Sequence, residues 1–296
     1  MSKISVVIPA YNGSKTISSS LYSVIEQDTK LCIEIIIVDD YSKDRDQLIV
    51  NVNKIKEKTP DNINIKMLFN DENLGGGASR NIGINASDGD FITFLDSDDM
   101  WMKNKISEQI SKYQDNSILT TRVLKGATVE LSEILPKLIK PMNELISDSL
   151  FVHNRLIQTS TFFMSSDIAK DIMFNPSLPR HQDYDFLLRA ENKGYQIIQM
   201  DIPLSFWRVE DDNSGRFLKK KATPEFFIGW YKEYKKYMTD KASIAYVAKN
   251  IFSACMITKK ISLFMRFFLS DNFSILDRIK IIKGILLWRW EKLKSE

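Results

Sequence analysis

Two cysteines and two histidines are all that the 296 residues hold of the side chains most used for zinc binding and thiol catalysis. Cys32 and Cys255 stand far apart in apolar surroundings, which is the usage of a reduced compartment, and both are expected as inert core residues. His153 and His181 fall in no metal-ligand spacing and near no plausible nucleophilic cysteine, so zinc chemistry and Cys–His catalysis are set aside. No apolar run approaches the roughly 18 uncharged residues that a transmembrane helix needs. A strand-like run follows Met1 directly, so no signal peptide is expected. With 44% apolar and 27% charged residues, and neither repeat nor low-complexity tract, the composition excludes a disordered chain, a collagen-like repeat and a disulfide scaffold. The expectation is a cytoplasmic protein of one large domain or two modest ones, at roughly 150 residues per domain.

Charge is nearly balanced overall, at +3, but unevenly placed. Residues 241–296 carry eleven Lys/Arg against four Asp/Glu, a local +7, so the remainder sums to −4. A basic tail on a neutral-to-acidic body bears on partners rather than on fold, and nothing in it points to nucleic acid.

Over the first hundred residues the apolar pattern alternates between two periods. Ile4-Ser5-Val6-Val7-Ile8, ended by Pro9, reads as a strand buried on both faces. Ser14 to Gln27 places Ile17, Leu21, Val24 and Ile25 on one helical stripe. Ile33 to Val38 is a second strand, followed by a Lys-rich helix to about Lys58, then strands at Ile63–Leu68 and Phe91–Leu95. Strands alternating with helices predict an α/β fold with a parallel sheet, whose ligands bind beyond the carboxyl ends of the strands. Those ends carry Pro9-Ala10-Tyr11-Asn12, Asp39-Asp40 and Asp96-Ser97-Asp98-Asp99. Further on, strands are expected at Thr161–Met164, Tyr195–Met200 and Pro203–Val209, with a helix at Asp183–Lys193 closed by Gly194. From Pro224 the pattern is helical and amphipathic to the end.

Alternate residues of an extended segment face the same way, so Asp96 and Asp98 can converge on one point. Carboxylates that close repel each other, and a divalent cation shared with phosphate oxygens is the natural relief. The plainer reading is an acidic turn capping a helix that begins at Met100-Trp101. Asn73-Leu74-Gly75-Gly76-Gly77-Ala78-Ser79-Arg80-Asn81 is a glycine-rich turn leading into a helix. Its amides could meet an anion with Arg80 as counter-charge, or it could serve only as a tight turn. It is neither a P-loop nor a dinucleotide fingerprint. Asp183 heads the apolar stripe of Phe186, Leu187 and Ala190, so it could be a general base of raised pKa or a helix N-cap. Asp185 and Arg189 read as a plain surface pair. Arg208 and Arg216, on a polar loop after the last strand, could contact phosphates or simply be solvated. The tail interleaves Phe264, Phe267, Phe268, Leu269, Ile281, Ile282, Ile285, Leu286 and Leu287 with lysines and arginines, and ends near Trp288 and Trp290. It could lie on an anionic membrane surface or pack on the main domain with its lysines in water.

Taken in order, Val7-Ile8-Pro9-Ala10-Tyr11-Asn12, Ile37-Val38-Asp39-Asp40-Tyr41-Ser42, Asn73-Leu74-Gly75 to Arg80-Asn81, and Leu95-Asp96-Ser97-Asp98-Asp99 resemble glycosyltransferase family 2. These are inverting, nucleotide-sugar-dependent enzymes with a GT-A fold, and the resemblance runs over roughly residues 1–216. It implies a GT-A domain at 1–222, with a nucleotide half (1–115) and an acceptor half (116–222), and a basic helical tail at 223–296. Pro9, Tyr11 and Asp40 would hold the uracil and ribose of a UDP-sugar, with Asp39 close behind. Asn73 and Arg80 would contact the nucleotide and its diphosphate. Asp96 and Asp98 match the family's Asp-Xaa-Asp motif, which with Ser97 between them would bind the ribose and a divalent metal, Mn2+ or Mg2+. Asp99 extends it to the form that looks like bacterial O-antigen and capsule transferases. Asp183 matches the catalytic base.

The sequence departs from the family where Gln182 replaces the usual Glu before that base. It departs again where Trp207-Arg208-Val209-Glu210 replaces Tyr-Arg-Xaa-His, putting a diphosphate or metal contact there in doubt. Arg289-Trp290 follows Leu286 rather than Gln, so the motif of processive synthases is absent and a single-addition enzyme is implied. The resemblance points to one sugar passing from a UDP-sugar to a saccharide on undecaprenyl diphosphate, with a β-linkage, at the inner face of the cytoplasmic membrane. Two other readings stay open: a catalytically silent sugar-nucleotide-binding paralogue, and a haloacid-dehalogenase-type phosphatase using Asp96 and Asp98.

Overall fold

The computed structural model describes residues 2–209 and 223–295, with side chains through residue 290. Glu210 and Arg216, both singled out in the sequence, lie outside the described residues. The chain divides into two compact units, Met1–Asn143 with Arg155–Asp211, and Glu144–Asn154 with Asp212–Glu296.

The first unit is an α/β sheet flanked by helices. Its strands are β1 (Lys3–Ala10), β2 (Cys32–Asp39), β3 (Ile63–Phe69), β4 (Phe91–Phe94), β5 (Met100–Trp101), β6 (Ser117–Gly126), β7 (Ser132–Leu135), β8 (Phe163–Ser165) and β9 (Gln196–Arg208). Their order is β3-β2-β1-β4-β8-β6-β9-β5, with β7 paired to β6 outside that path. The first four in this order are parallel, and β8 joins β4 antiparallel. Ile4, Val6 and Ile8 of β1 and Ile33, Ile35 and Ile37 of β2 bury against Ile17, Leu21 and Val24 of α1 (Ile17–Ile25) and Leu48, Val52 and Ile55 of α2 (Arg45–Lys56). Each of these side chains contributes about 1.5–3 kcal/mol by leaving water. The opposite face of β1 receives α3 (Gly76–Ala86) at very close range: a Cβ on Gly83 would stand 2.3 Å from Val7 Cγ1. That approach seats the amino end of α3 beside the carboxyl ends of β1 and β2.

The structure corrects several sequence expectations. The two strands expected at 195–209 are one continuous β9, because β6 pairs with it on both sides of an irregularity. The register passes from Thr121↔Met200 to Arg122↔Pro203 and then Val123↔Ser205, leaving Asp201, Ile202 and Leu204 unmatched. Pro203, which has no N–H to give the ladder, falls at this bulge. Met100-Trp101 does not open a helix but forms β5, antiparallel to β9; the helix, α4, starts at Lys105 and runs to Lys112. The strand expected at Thr161 begins at Phe163, after a 3-10 turn over Thr159–Thr161. Cys32 is exposed at the first position of β2, where the strand emerges from the sheet, whereas Cys255 is buried and its thiol is pushed up to about 11 by that burial.

The second unit is helical. Helix Pro224–Tyr234 is capped by Thr223, whose Oγ1 accepts from Phe226 N at 3.1 Å. Residues 144–154, which the sequence reading grouped with the acceptor half, belong to this unit. Phe151 packs edge-on to Tyr246 (5.1 Å between centroids) and Trp230 (5.9 Å). Helix Asp240–Tyr246 continues through a π-turn at Val247–Ile251 into Phe252–Ile257. The last helix, Ile275–Ser295, crosses that π-turn at Gly284, where a Cβ would lie 3.1 Å from Ala248 Cβ. No helix among the described residues is long and apolar enough to cross a membrane.

Gly83→Ala tests the approach of α3 to β1. The gain in helix propensity, about 1 kcal/mol, is outweighed by a clash with a short β-branched side chain that cannot swing away. A net loss of about 1–3 kcal/mol is expected from the midpoint of urea unfolding.

Candidate active site

Because β1, β2 and β4 are parallel, the segments beyond Ala10, Asp39 and Phe94 emerge at one edge of the sheet. Asp39 and Asp40 are both buried there. Asp39 Oδ2 accepts from Arg45 Nε at 2.6 Å, while its Oδ1 is buried without a partner. Asp40 organises the glycine-rich turn. Its Oδ1 accepts from Leu74 N (2.8 Å) and Asn70 Nδ2 (2.9 Å), its Oδ2 from Gly75 N (2.8 Å), and its carbonyl from Asn73 Nδ2 (3.1 Å). Gly75 sits at φ +86°, a conformation open to glycine, so the chain can turn there into α3. Pro9 lies within β1 opposite Val38, and Tyr11 is exposed beyond the strand end.

The acidic turn 96–99 is held from two sides. Ser20 Oγ donates to the carbonyls of Ser97 (2.9 Å) and Asp99 (2.7 Å). On the other side Ser160 Oγ donates to Asp99 Oδ2 (2.7 Å) and accepts from Asp96 N (3.1 Å), and Gln158 Nε2 donates to Asp99 Oδ2 (2.6 Å). Carboxylate oxygens of Asp96, Asp98 and Asp99 all lie within 4.8 Å of one another. Asp99 Oδ1 is buried with no hydrogen-bond partner among the described residues. Burial, together with the charges of Asp96 and Asp98, pushes the Asp99 carboxyl well above the usual range. Hard oxygen ligands crowded in this way, with one left unsatisfied, fit a divalent cation such as Mg2+ or Mn2+.

Arg80, on α3, ties this turn to a distant helix. Its Nη2 binds Asp96 Oδ1 at 2.5 Å and its Nη1 donates to Gln182 Oε1 at 2.8 Å, while its Nε is buried without a partner among the described residues. Phe174 lies under the guanidinium at 5.3 Å. Gln182 opens α6 (Gln182–Asn192), its Nε2 donating to Leu178 O at 2.7 Å. The N-cap of α6 is His181, in the left-handed conformation at φ +61°, so Asp183 is not the N-cap, although its Oδ1 accepts from Tyr184 N at 2.9 Å. Asp183 keeps some accessible surface yet is surrounded by protein. That burial raises its carboxyl to about 6, against a lowering contribution from Arg80. The same surroundings push His181 down to about 3, so the imidazole is neutral. Asp185 is not the surface residue expected: it is fully buried and bound bidentately by Arg189 at 2.7 Å for each oxygen. Arg189 also donates to the carbonyls of Ile172 and Met173, which anchors α6 to the segment carrying Phe174.

The structure thus brings Arg80, Asp96, Asp98 and Asp183 together and places Asp39, Asp40, Asn73, Tyr11 and Pro9 along the same sheet edge. Arg208, near the end of β9, donates to Met100 Sδ at 3.6 Å, beside the residue that follows the acidic turn. Gln158 and Ser160, which hold Asp99, had no signal in the sequence, since neither stands in a motif and both lie about sixty residues downstream.

The model of the family described as glycosyl transferase family 2 matches residues 5–173. The amylovoran biosynthesis glycosyltransferase AmsB of Erwinia amylovora is 29% identical over 256 residues, covering 83% of this chain and 82% of that protein. The Escherichia coli UDP-Glc:alpha-D-GlcNAc-diphosphoundecaprenol beta-1,3-glucosyltransferase WfgD is 37% identical over 115 residues, 39% of this chain and 42% of that one. Among solved structures, S. aureus TarS 1-349 in complex with UDP-GlcNAc matches with a TM-score of 0.57 and 19% identity over 95% of this chain and 79% of that one. The chain spans 48% of the longer TarS chain, and the likeness is one of fold.

The raised carboxyl of Asp183 has a consequence for stability. Its ordinary value is 3.8 and its folded value about 6, so between these the folded state holds the extra proton and stability falls as pH rises. Asp183→Asn keeps the acceptor oxygen for Tyr184 N and removes that charge. The variant is expected to be about 1–2 kcal/mol more stable than wild type at pH 7.5, with the two converging near pH 4 in urea unfolding.

Proposed function

The chain belongs to glycosyl transferase family 2, and from that premise we propose that it transfers a single sugar from a UDP-sugar to a saccharide acceptor with inversion at the anomeric carbon. The observation that carries this reading is the position of Asp183 at the start of α6, next to the Gln182 that Arg80 binds while Arg80 also holds Asp96, in surroundings that raise its carboxyl to about 6. Asp39, Asp40, Pro9, Tyr11 and Asn73 would receive the nucleoside, with Asp40 acting through the turn that it holds. Asp96 and Asp98, with Asp99 behind them, would hold a divalent cation, which when bound supplies charge neutralisation at the diphosphate. Arg80, whose Nε has no hydrogen-bond partner among the described residues, would donate to a diphosphate oxygen as negative charge gathers on the leaving UDP. Arg208 would add a second positive group.

Asp183 would take the proton of the acceptor hydroxyl while that oxygen bonds to the anomeric carbon and the bond from this carbon to the β-phosphate oxygen breaks. Attack from the face opposite UDP turns an α-linked donor into a β-linked product. The chemistry needs a carboxylate basic enough to accept a proton and still ionised at neutral pH, and a value near 6 meets both demands. The family assignment removes the phosphatase reading. Transfer abolished by Asp183→Asn would remove the silent-paralogue reading.

An undecaprenyl-diphosphate-linked acceptor in O-antigen or capsule assembly is supported by the polysaccharide-biosynthesis relatives and by the last helix. Ile279, Ile282, Leu286, Leu287 and Trp290 are exposed there, interleaved with Lys280, Lys283 and Arg289. Such a surface suits the inner face of the cytoplasmic membrane, whose lipids are anionic.

Calorimetric titration of UDP is expected to show binding that requires Mn2+ or Mg2+ in wild type and is lost in Asp98→Ala; binding to GDP instead, or none at all, overturns the donor assignment. In steady-state assays kcat/KM should fall below an apparent pKa near 6, and Asp183→Asn should lower kcat by about 10²–10⁴. Vesicles containing phosphatidylglycerol should co-sediment the wild-type protein, and those of phosphatidylcholine alone should not. The double substitution Leu286→Glu with Leu287→Glu should release it, and equal sedimentation of both proteins would rule out this surface.

A further inference from the structure

We propose that Lys105, remote from any substrate, is a positioning residue for the Asp96–Asp99 turn, clamping the backbone of residues 160–162 on which Asp99 is hung. The inference rests on reading that turn as the cation–diphosphate site. Lys105 is the first residue of α4 and is fully buried. Its Nζ donates to Thr93 Oγ1 at 2.9 Å and Gln109 Oε1 at 2.6 Å, and lies 4.1 Å from the centroid of the Trp101 ring.

Each of those three neighbours uses its remaining donor on one of three consecutive main-chain carbonyls. Trp101 Nε1 donates to Ser160 O at 2.9 Å, Gln109 Nε2 to Thr161 O at 2.9 Å, and Thr93 Oγ1 to Phe162 O at 2.6 Å. The turn so fixed presents Ser160 Oγ and Gln158 Nε2 to Asp99, and Ser160 Oγ also receives the amide of Asp96. Three side chains gathered around Lys105, one each from β4, β5 and α4, therefore converge on the backbone that holds the Asp99 carboxylate and the Asp96 amide.

The chemistry of the position argues against mere filling. No carboxylate among the described residues pairs with Lys105, and burial pushes its ammonium well below the ordinary value. Its Nζ has an N–H group for each of the two oxygens that it meets. An amine without a counter-charge is an expensive way to occupy a core, where an apolar side chain of equal length packs at no desolvation cost. What the amine supplies, and an apolar chain cannot, is the orientation of the Thr93 hydroxyl and the Gln109 amide toward the 161 and 162 carbonyls.

The test uses the full chain with Mn2+ and UDP as probes. Lys105→Met leaves an unbranched apolar chain one atom shorter and removes the amine; Thr93→Val removes one arm of the clamp, and Thr93→Ser keeps its hydroxyl. Isothermal titration of Mn2+ in saturating UDP is expected to show a Kd raised roughly tenfold or more in Lys105→Met and Thr93→Val. Thr93→Ser should stay within about twofold of wild type, with unchanged far-UV circular dichroism throughout. The donor KM should rise with the Mn2+ Kd, while kcat at saturating Mn2+ and donor should return toward wild type. A folded Lys105→Met that binds Mn2+ as wild type does overturns the inference, whatever its melting temperature. If Lys105→Met does not fold, the Thr93 pair decides, and equal Mn2+ affinity in Val and Ser overturns it. Wild-type protein that binds UDP but no Mn2+ instead overturns the cation-site reading, and this inference with it.

Discussion

Three carboxylates in a four-residue turn at the mouth of a buried strand set the terms for much of the surrounding structure. Like charges at such spacing and partial burial are unstable unless something answers them. In this protein the answer is distributed. Arg80 binds Asp96 from α3, Ser160 and Gln158 bind Asp99 from a 3-10 turn, and Ser20 of α1 holds the carbonyls of the turn itself. One buried oxygen of Asp99 and the Nε of Arg80 have no hydrogen-bond partner among the described residues, so the compensation those residues supply is incomplete. A cation and an anionic phosphate are the two species that would complete it.

Arg80 has a second role in this arrangement. By bonding Asp96 on one side and Gln182 on the other, it links the end of β4 to the start of α6, and so the acidic turn to the helix that carries Asp183. A neutral glutamine at 182 is consistent with that position, because the guanidinium already has one carboxylate and keeps its remaining charge for a ligand. The rigidity of α6 comes from elsewhere. The buried Asp185–Arg189 pair, with Arg189 also holding the carbonyls of Ile172 and Met173, fixes the helix against the segment that carries Phe174 under Arg80. A pair that looks like surface decoration in sequence is thus part of what holds Asp183 in place.

The helical unit follows different physics. Its interior is a cluster of aromatic rings around Phe151, Trp230 and Tyr246, and its last helix buries one narrow face at Ile281 and Gly284 while leaving most of its apolar side chains exposed. Exposed leucines and a tryptophan among lysines and arginines are costly in water, and an interfacial location relieves that cost.

Much of the first unit was legible in the sequence because the signals are local. Short apolar runs separated by helical stretches mark β1 to β4 and the helices between them, and their alternation implies a parallel sheet. The glycines before Arg80 and the aspartates after Phe94 sit where such a sheet puts its ligands, so the candidate residues could be named from spacing and resemblance. What the sequence could not carry were pairings between distant segments. Pro203 marked a break in periodicity, and only the register with β6 shows that the strand passes through it. The supports of Asp99, the Lys105 clamp, the bridge from Arg80 to Gln182 and the burial of Asp185 all join residues that no local period relates. A hydrogen bond between positions sixty or a hundred apart leaves no periodic trace along the chain, because its geometry exists only after the sheet has brought both ends to one edge. The identity of the candidate site residues was therefore written locally, whereas their charge state and orientation were decided by tertiary packing.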